Sequence, residues 1–141
     1  MIVTYSLGSC IGIAIYDPTA GVGGILHYML PESSLDSVKA QKNPYMFADT
    51  GIPALFKSAY KLGGKKQRMK VIVVGGAHVL DQKGFFDIGK RNHMAVKKMF
   101  WKNNVMIDHE EVGGNVNRTV KLSVKDGEAW VKTSGQGERK I

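Results

Sequence analysis

The chain has a single cysteine, Cys10, so no internal disulfide is open to it, and nowhere does it hold the roughly 18 consecutive apolar residues that cross a bilayer. Proline is scarce at four residues, and there is no repeat, linker or low-complexity tract at which to divide 141 residues. One domain spanning residues 1–141 is therefore expected, long enough to bury a core without a disulfide or structural metal. Acid is also in short supply. Twelve Asp and Glu face twenty Lys and Arg, giving a net charge of +8. Such a balance favours an acidic partner. The basic residues, however, come in short scattered runs (Lys65, Lys66 and Arg68; Lys97 and Lys98; Arg139 and Lys140) and not as a platform interleaved with aromatics. They read as solvated surface, and no nucleic-acid partner is expected. No basic start followed by an apolar export segment is read, so a reducing compartment, the cytoplasm, is expected, without membrane insertion.

Apolar patterning supplies the elements. Residues 2–6 suit a short strand, which "LGSC" interrupts. In "IGIAIYD", Ile11, Ile13 and Ile15 alternate with Gly12, Ala14 and Tyr16, the pattern of a half-buried strand. "DPTAG" then offers turn chemistry before "GVGGILHYML" resumes, so the two segments are expected to form a hairpin. A turn centred near Thr19 pairs residues whose numbers sum to 37–39, setting Cys10 opposite or nearly opposite His27. "ESSLDSVKAQKNP" reads as a surface loop or short helix. "FADTGIPALFKSAYKLGG" has helical spacing, with Pro53 in its first turn or kinking it. "MKVIVVGGAHV", "IGKRNHMAVKKMFWKN" and "VMIDHEEV" follow as strand, helix and strand, a βαβ unit with parallel strands. "TVKLSVKDGEAWVKT" is a hairpin around Asp126-Gly127, with Val124 aligned to Ala129 and Leu122 to Val131. The fold class is thus α/β (α+β).

Candidate chemistry centres on Cys10. Gly8 and Gly12 remove side chains on either side of it, so an amide can approach, and N–H groups of the bent "GSC" segment, around Ser9, can face a developing oxyanion. A histidine across the hairpin would take the thiol proton and carry it onward. "GSCIG" also fits G-x-C-x-G, but a nucleophile elbow needs a helix after the turn and a strand follows here. His78, His93 and His109 lack metal-ligand spacing, and "VVGGAHV" and "EVGGNVNR" match no phosphate-binding pattern. Their glycines suit tight turns or close backbone approach. No metal or cofactor is expected.

"VTYSLGSCIGIAIYD", "GGILHYMLP", "ADTGI", "VVGGAHV", "IGKRN" and "VGGNVNR" together resemble the sequence blocks of the CheD family, chemoreceptor glutamine deamidases of bacterial chemotaxis. The resemblance runs from about residue 2 to about 135, and its sharpest element is the order and spacing of Thr4, Cys10 and His27. It implies a layered β-sandwich with flanking helices, similar to papain-like and toxin-deamidase folds. It further implies Cys10 as nucleophile, His27 as proton carrier and Thr4 as the residue fixing the imidazole. The implied substrate is a glutamine side chain of methyl-accepting chemotaxis receptors, hydrolysed through a thioester, with receptor methyl ester hydrolysis credited to some members. A CheC-type phosphatase is the implied partner, held on the receptor-binding face of an otherwise monomeric protein. The alternative is a non-catalytic adaptor for that phosphatase. Relatives carry further residues ahead of the segment that starts here, so an incomplete first strand with Thr4 on a frayed edge is also expected.

Overall fold

The computed structural model describes residues 1–78 and 87–141. In chain order the first strands are β1 (Ile2–Leu7), β2 (Ile11–Asp17) and β3 (Val22–Tyr28), followed by helices α1 (Ser37–Lys42) and α2 (Ala48–Lys61). Strand β4 (Lys70–Gly75), helix α3 (Ile88–Lys102) and strand β5 (His109–Val112) come next, then β6 (Arg118–Leu122), β7 (Ala129–Thr133) and β8 (Glu138–Lys140). Two four-stranded sheets result, one ordered β3-β2-β4-β5 and the other β1-β6-β7-β8. The first lies between two apolar layers. On one face Ile11, Ile13, Ile15, Val71 and Val73 pack with Ile52 and Phe56 of α2 and Val96 and Phe100 of α3. On the other, Ala14, Tyr16, Ile72 and Val74 pack with Leu7, Val120, Leu122 and Val131 of the second sheet. The α+β sandwich expected from the sequence is therefore present as helices, sheet and sheet.

Strand β2 alternates as expected but is not half-buried, since all seven of its residues are buried. The second sheet covers the face that a two-layer protein would leave to water. Strands β4 and β5 are parallel, with Ile72 opposite His109 and Gly75 opposite Val112, as a βαβ unit requires. Val79, the last residue of "VVGGAHV", lies outside the described residues. Pro53 stands inside α2, in its second turn and not its first.

The last hairpin is present, but two residues out of the expected register. Leu122 faces Ala129 and Val120 faces Val131. The reason is a longer turn, in which the N–H groups of Ser123 and Gly127 donate to Glu128 O and Ser123 O. Gly127 takes φ +76°, and the Tyr16 ring lies where its Cβ would be. Expectation from the Asp-Gly pair alone missed this contact because it comes from the other sheet.

Candidate active site

The first hairpin closes on Asp17. The N–H groups of Thr19 and Ala20 donate to Asp17 Oδ1, and Gly21 N–H donates to the Asp17 carbonyl, so four residues turn the chain and Asp17 faces Val22. Every pair in the ladder then sums to 39. His27 faces Gly12, and Cys10, just ahead of β2, is two residues further along. The observed sum of 39 is the upper end of the expected 37–39, so Cys10 and His27 are nearly opposite, offset by two residues. A step of two preserves the face. Cys10 packs against the inter-sheet core with Leu7 and Ala14, and His27 lies on the same side of the sheet as Gly12.

Thr4 reaches this side from the second sheet. Its Oγ1 shares a 2.8 Å hydrogen bond with His27 Nδ1, linking β1 to β3 across the two layers. Gly12 leaves the room for that link. A Cβ there would come within 2.9 Å of Leu7 Cδ1 and 3.5 Å of Thr4 Cγ2. β1 is an edge strand of the second sheet, as expected, but Thr4 is paired there, opposite Val120 of β6, rather than frayed. Among the described residues no hydrogen bond joins Cys10 Sγ to the imidazole.

Burial pushes the Cys10 thiol above its ordinary value of 9.0, with its own backbone N–H pulling partly the other way. Burial lowers His27 below 6.5. Both shifts favour uncharged forms, so at neutral pH the resting pair is thiol and imidazole.

Residues distant in sequence hold the cysteine turn. Ser6 takes a left-handed φ of +57°, and Gly8 N–H donates to its carbonyl at 3.0 Å. The Gly8 carbonyl accepts from Ala77 N–H at 2.8 Å, and the Cys10 carbonyl from Gly76 N–H at 2.9 Å. Gly75 cannot carry a side chain, because with φ +122° its Cβ would lie 2.1 Å from the Cys10 carbonyl oxygen. The "VVGGAHV" glycines thus serve close backbone approach, as their pattern suggested. From α3, the buried Asn92 side chain donates to the Ser9 carbonyl at 2.9 Å. Ser9 is itself buried. Among the described residues neither Ser9 N–H nor Cys10 N–H donates to a backbone carbonyl; the Cys10 N–H faces its own thiol.

Sequence reasoning did not single out Asn92 or Arg118, although both end quoted blocks, "IGKRN" and "VGGNVNR". Arg118 Nη1 donates to the Gly75 carbonyl at 3.3 Å and the Gly113 carbonyl at 2.9 Å, tying the glycine segment to β6. The signal was a polar residue at the end of each block; its target is set only by tertiary packing.

The remaining histidines pair with acids. His93 shares a 2.8 Å hydrogen bond with Glu110, and His109 one of 2.7 Å with Glu111. Among the described residues no three His, Cys, Asp or Glu side chains gather as a metal site would require. A cavity of about 210 Å³ lies between α2 and α3, lined by Ile52, Phe56, Tyr60 and Phe100 among others, but neither Cys10 nor His27 borders it. Tyr5, which follows Thr4 in β1, is 65% exposed, and Met29, two residues beyond His27, is 48% exposed.

Among the described residues no helix is long and apolar enough to cross a membrane. The family model described as "CheD chemotactic sensory transduction" matches residues 29–133. A protein of Syntrophus aciditrophicus named probable chemoreceptor glutamine deamidase CheD 1 is 58% identical over 141 residues, covering all of this chain and 88% of that relative. Similarly named proteins of Solibacter usitatus and Syntrophotalea carbinolica are 46% and 41% identical, covering 96% and 100% of this chain and 80% and 88% of theirs. Thr4, Cys10 and His27 precede the span of the family model but fall within the full-length match to the first of these relatives. With a family match over most of its length and relatives aligned along the whole of it, the chain belongs to the CheD family.

Proposed function

We propose that this protein hydrolyses glutamine side-chain amides of chemoreceptors to glutamate, with Cys10 as nucleophile. One observation carries the reading. The only thiol and an imidazole share one face of the first sheet, and that imidazole is anchored through Nδ1 by Thr4 from the second. The names of the relatives, probable chemoreceptor glutamine deamidases, supply the substrate.

With Nδ1–H donating to Thr4 Oγ1, Nε2 is the basic nitrogen of a neutral His27. As Cys10 Sγ attacks the carboxamide carbon, its proton passes to Nε2, in a substrate-bound state where catalytic contacts shorten relative to the free protein. The C=O pair moves onto oxygen, which the N–H groups of Ser9 and Cys10 receive. When the tetrahedral adduct collapses, the C–N bond breaks and the imidazolium proton goes to the departing nitrogen, releasing ammonia and leaving a thioester. Water then gives a proton to Nε2 as its oxygen bonds the acyl carbon. The C–S bond breaks, sulfur recovers the proton, and glutamate departs. The cycle consumes one water per amide and calls on no cofactor.

Gly8 and Gly12 place no side chain of their own beside Cys10. The net charge of +8 suits an acidic protein segment bearing the glutamine. We place this activity in the cytoplasm, in a protein monomeric when free, with a CheC-type phosphatase competing for the same face. Mass spectrometry of a receptor cytoplasmic fragment tests the proposal. Incubation with the wild type is expected to convert specific glutamines to glutamate, and the Cys10→Ala form to convert none. Equal conversion by both forms would remove the mechanism, and conversion by neither would favour the adaptor reading.

A further inference from the structure

Asn92 is wholly buried, yet it carries a polar side chain that is only half satisfied. Its Nδ2 donates twice, to the Ser9 carbonyl and to the Met29 carbonyl, each at 2.9 Å. Among the described residues its Oδ1 has no hydrogen-bond partner. An apolar residue would avoid the cost of that orphaned oxygen, so what the fold retains at position 92 is the pair of donors. The helix is held close enough to deliver them. The Tyr28 hydroxyl donates to the Asn92 backbone carbonyl at 2.6 Å, and Gly89, one turn earlier, lets α3 press on the chain where a Cβ would lie 2.4 Å from the Ala77 carbonyl oxygen.

The two acceptors belong to the two halves of the site. Met29 follows His27 by two residues, and the Ser9 carbonyl belongs to the peptide whose N–H is that of Cys10. No peptide bond among the described residues is cis. In a planar trans peptide the C=O and N–H point in opposite directions. Asn92 draws the Ser9 carbonyl toward α3 on the helix side of the sheet, so the Cys10 N–H is turned toward the inter-sheet side, where Cys10, His27 and Thr4 stand.

We infer that Asn92 is a positioning residue whose side-chain amide fixes the Ser9–Cys10 peptide and so aims the Cys10 N–H at the oxyanion of the reacting amide. This rests on the deamidase reading above. It separates two properties of Cys10. Alkylation by iodoacetamide needs the thiolate but forms no oxyanion, whereas deamidation needs both.

The test compares wild type with Asn92→Ala and Asn92→Ser, the latter keeping a donor for one carbonyl. For Asn92→Ala, kcat on a receptor cytoplasmic fragment is expected to fall by about 30- to 100-fold, less than the ~10²- to 10³-fold loss of a direct oxyanion donor. KM and the alkylation rate of Cys10 should each stay within about twofold, and Asn92→Ser should recover part of kcat. A folded Asn92→Ala with kcat within about threefold of wild type would overturn the inference. So would alkylation that falls in step with kcat, or loss of cooperative melting in both variants, since either makes the role purely structural. An inactive wild type, or an active Cys10→Ala, would instead overturn the deamidase reading and this inference with it, and is recognised before any change at Asn92.

Discussion

Strand β2 has two faces of opposite character. Toward the helices it sends Ile11, Ile13 and Ile15, each at most 1% exposed, into a continuous apolar layer with Phe56, Val96 and Phe100. Toward the second sheet it sends Gly12, Ala14 and Tyr16, and the missing side chain at Gly12 lets Leu7 and Thr4 pack close beside His27. The first face is built from large branched side chains and maximises burial. The second gives up volume at one position to let polar groups from two sheets meet. Both sides of this seven-residue strand carry apolar packing, but the proposed chemistry belongs to the inter-sheet side alone, so substitutions on the two sides should fail in different ways.

The sharpest break is on the chemical side. Cys10→Ala is expected to lower deamidation by about 10⁴-fold or more, as loss of a nucleophile does, while its melting temperature stays close to wild type. Steady-state assays beside thermal melts check this. Ile13→Ala should do the reverse. Emptying a fully buried site in the helix-side layer is expected to cost about 2–5 kcal/mol of stability, read from urea unfolding, with kcat of the folded fraction unchanged. If Ile13→Ala lost activity faster than stability, the division between faces would not hold.

Thr4→Val keeps the shape of the side chain and removes the hydrogen bond to Nδ1. A drop in kcat of about 10- to 100-fold is expected, with Thr4→Ser restoring most of it and KM little altered. Gly12→Ala should bring a smaller loss, about three- to tenfold, because the added methyl displaces Leu7 Cδ1 and crowds Thr4 without removing either.

The pH profile probes the same face without mutation. Burial lowers His27 below 6.5, so the imidazole stays neutral, and able to accept the thiol proton, down to a pH under that value. Burial raises Cys10 above 9.0, so the thiol keeps its proton up to a pH above that. Accordingly kcat/KM should be flat across neutral pH, with its acid limb below 6.5 and its alkaline limb above 9.0. Iodoacetamide alkylation of the free protein should rise only with the alkaline limb. Fast alkylation near pH 6 would reveal a preformed thiolate and imidazolium pair in place of the neutral one.

Much of this was legible in the residues because it is local. Alternation in "IGIAIYD" identifies a strand, "DPTAG" a reversal, and the two together put Cys10 and His27 on one hairpin. The same locality explains the errors. The Asp17 carboxylate closes the first turn one way among several, and selects from the expected range the register in which His27 faces Gly12. Tyr16, from another sheet, occupies the space beside Gly127 and lengthens the last turn. Neither contact is written in the segment it alters.

By itself the sequence determined the elements, their apolar faces and the chemical types at the site, since strand and helix periods and turn preferences act within a few residues. It also carried, through spaced blocks, the likeness that placed the chain in its family. Only the tertiary structure decided that β2 is buried on both faces, that Thr4 meets His27 from a different sheet, and that Asn92, 83 positions beyond Ser9, grips the cysteine turn. Those contacts join residues far apart in the chain. Their partners are selected by how layers pack and which backbones can approach, and that depends on the whole fold.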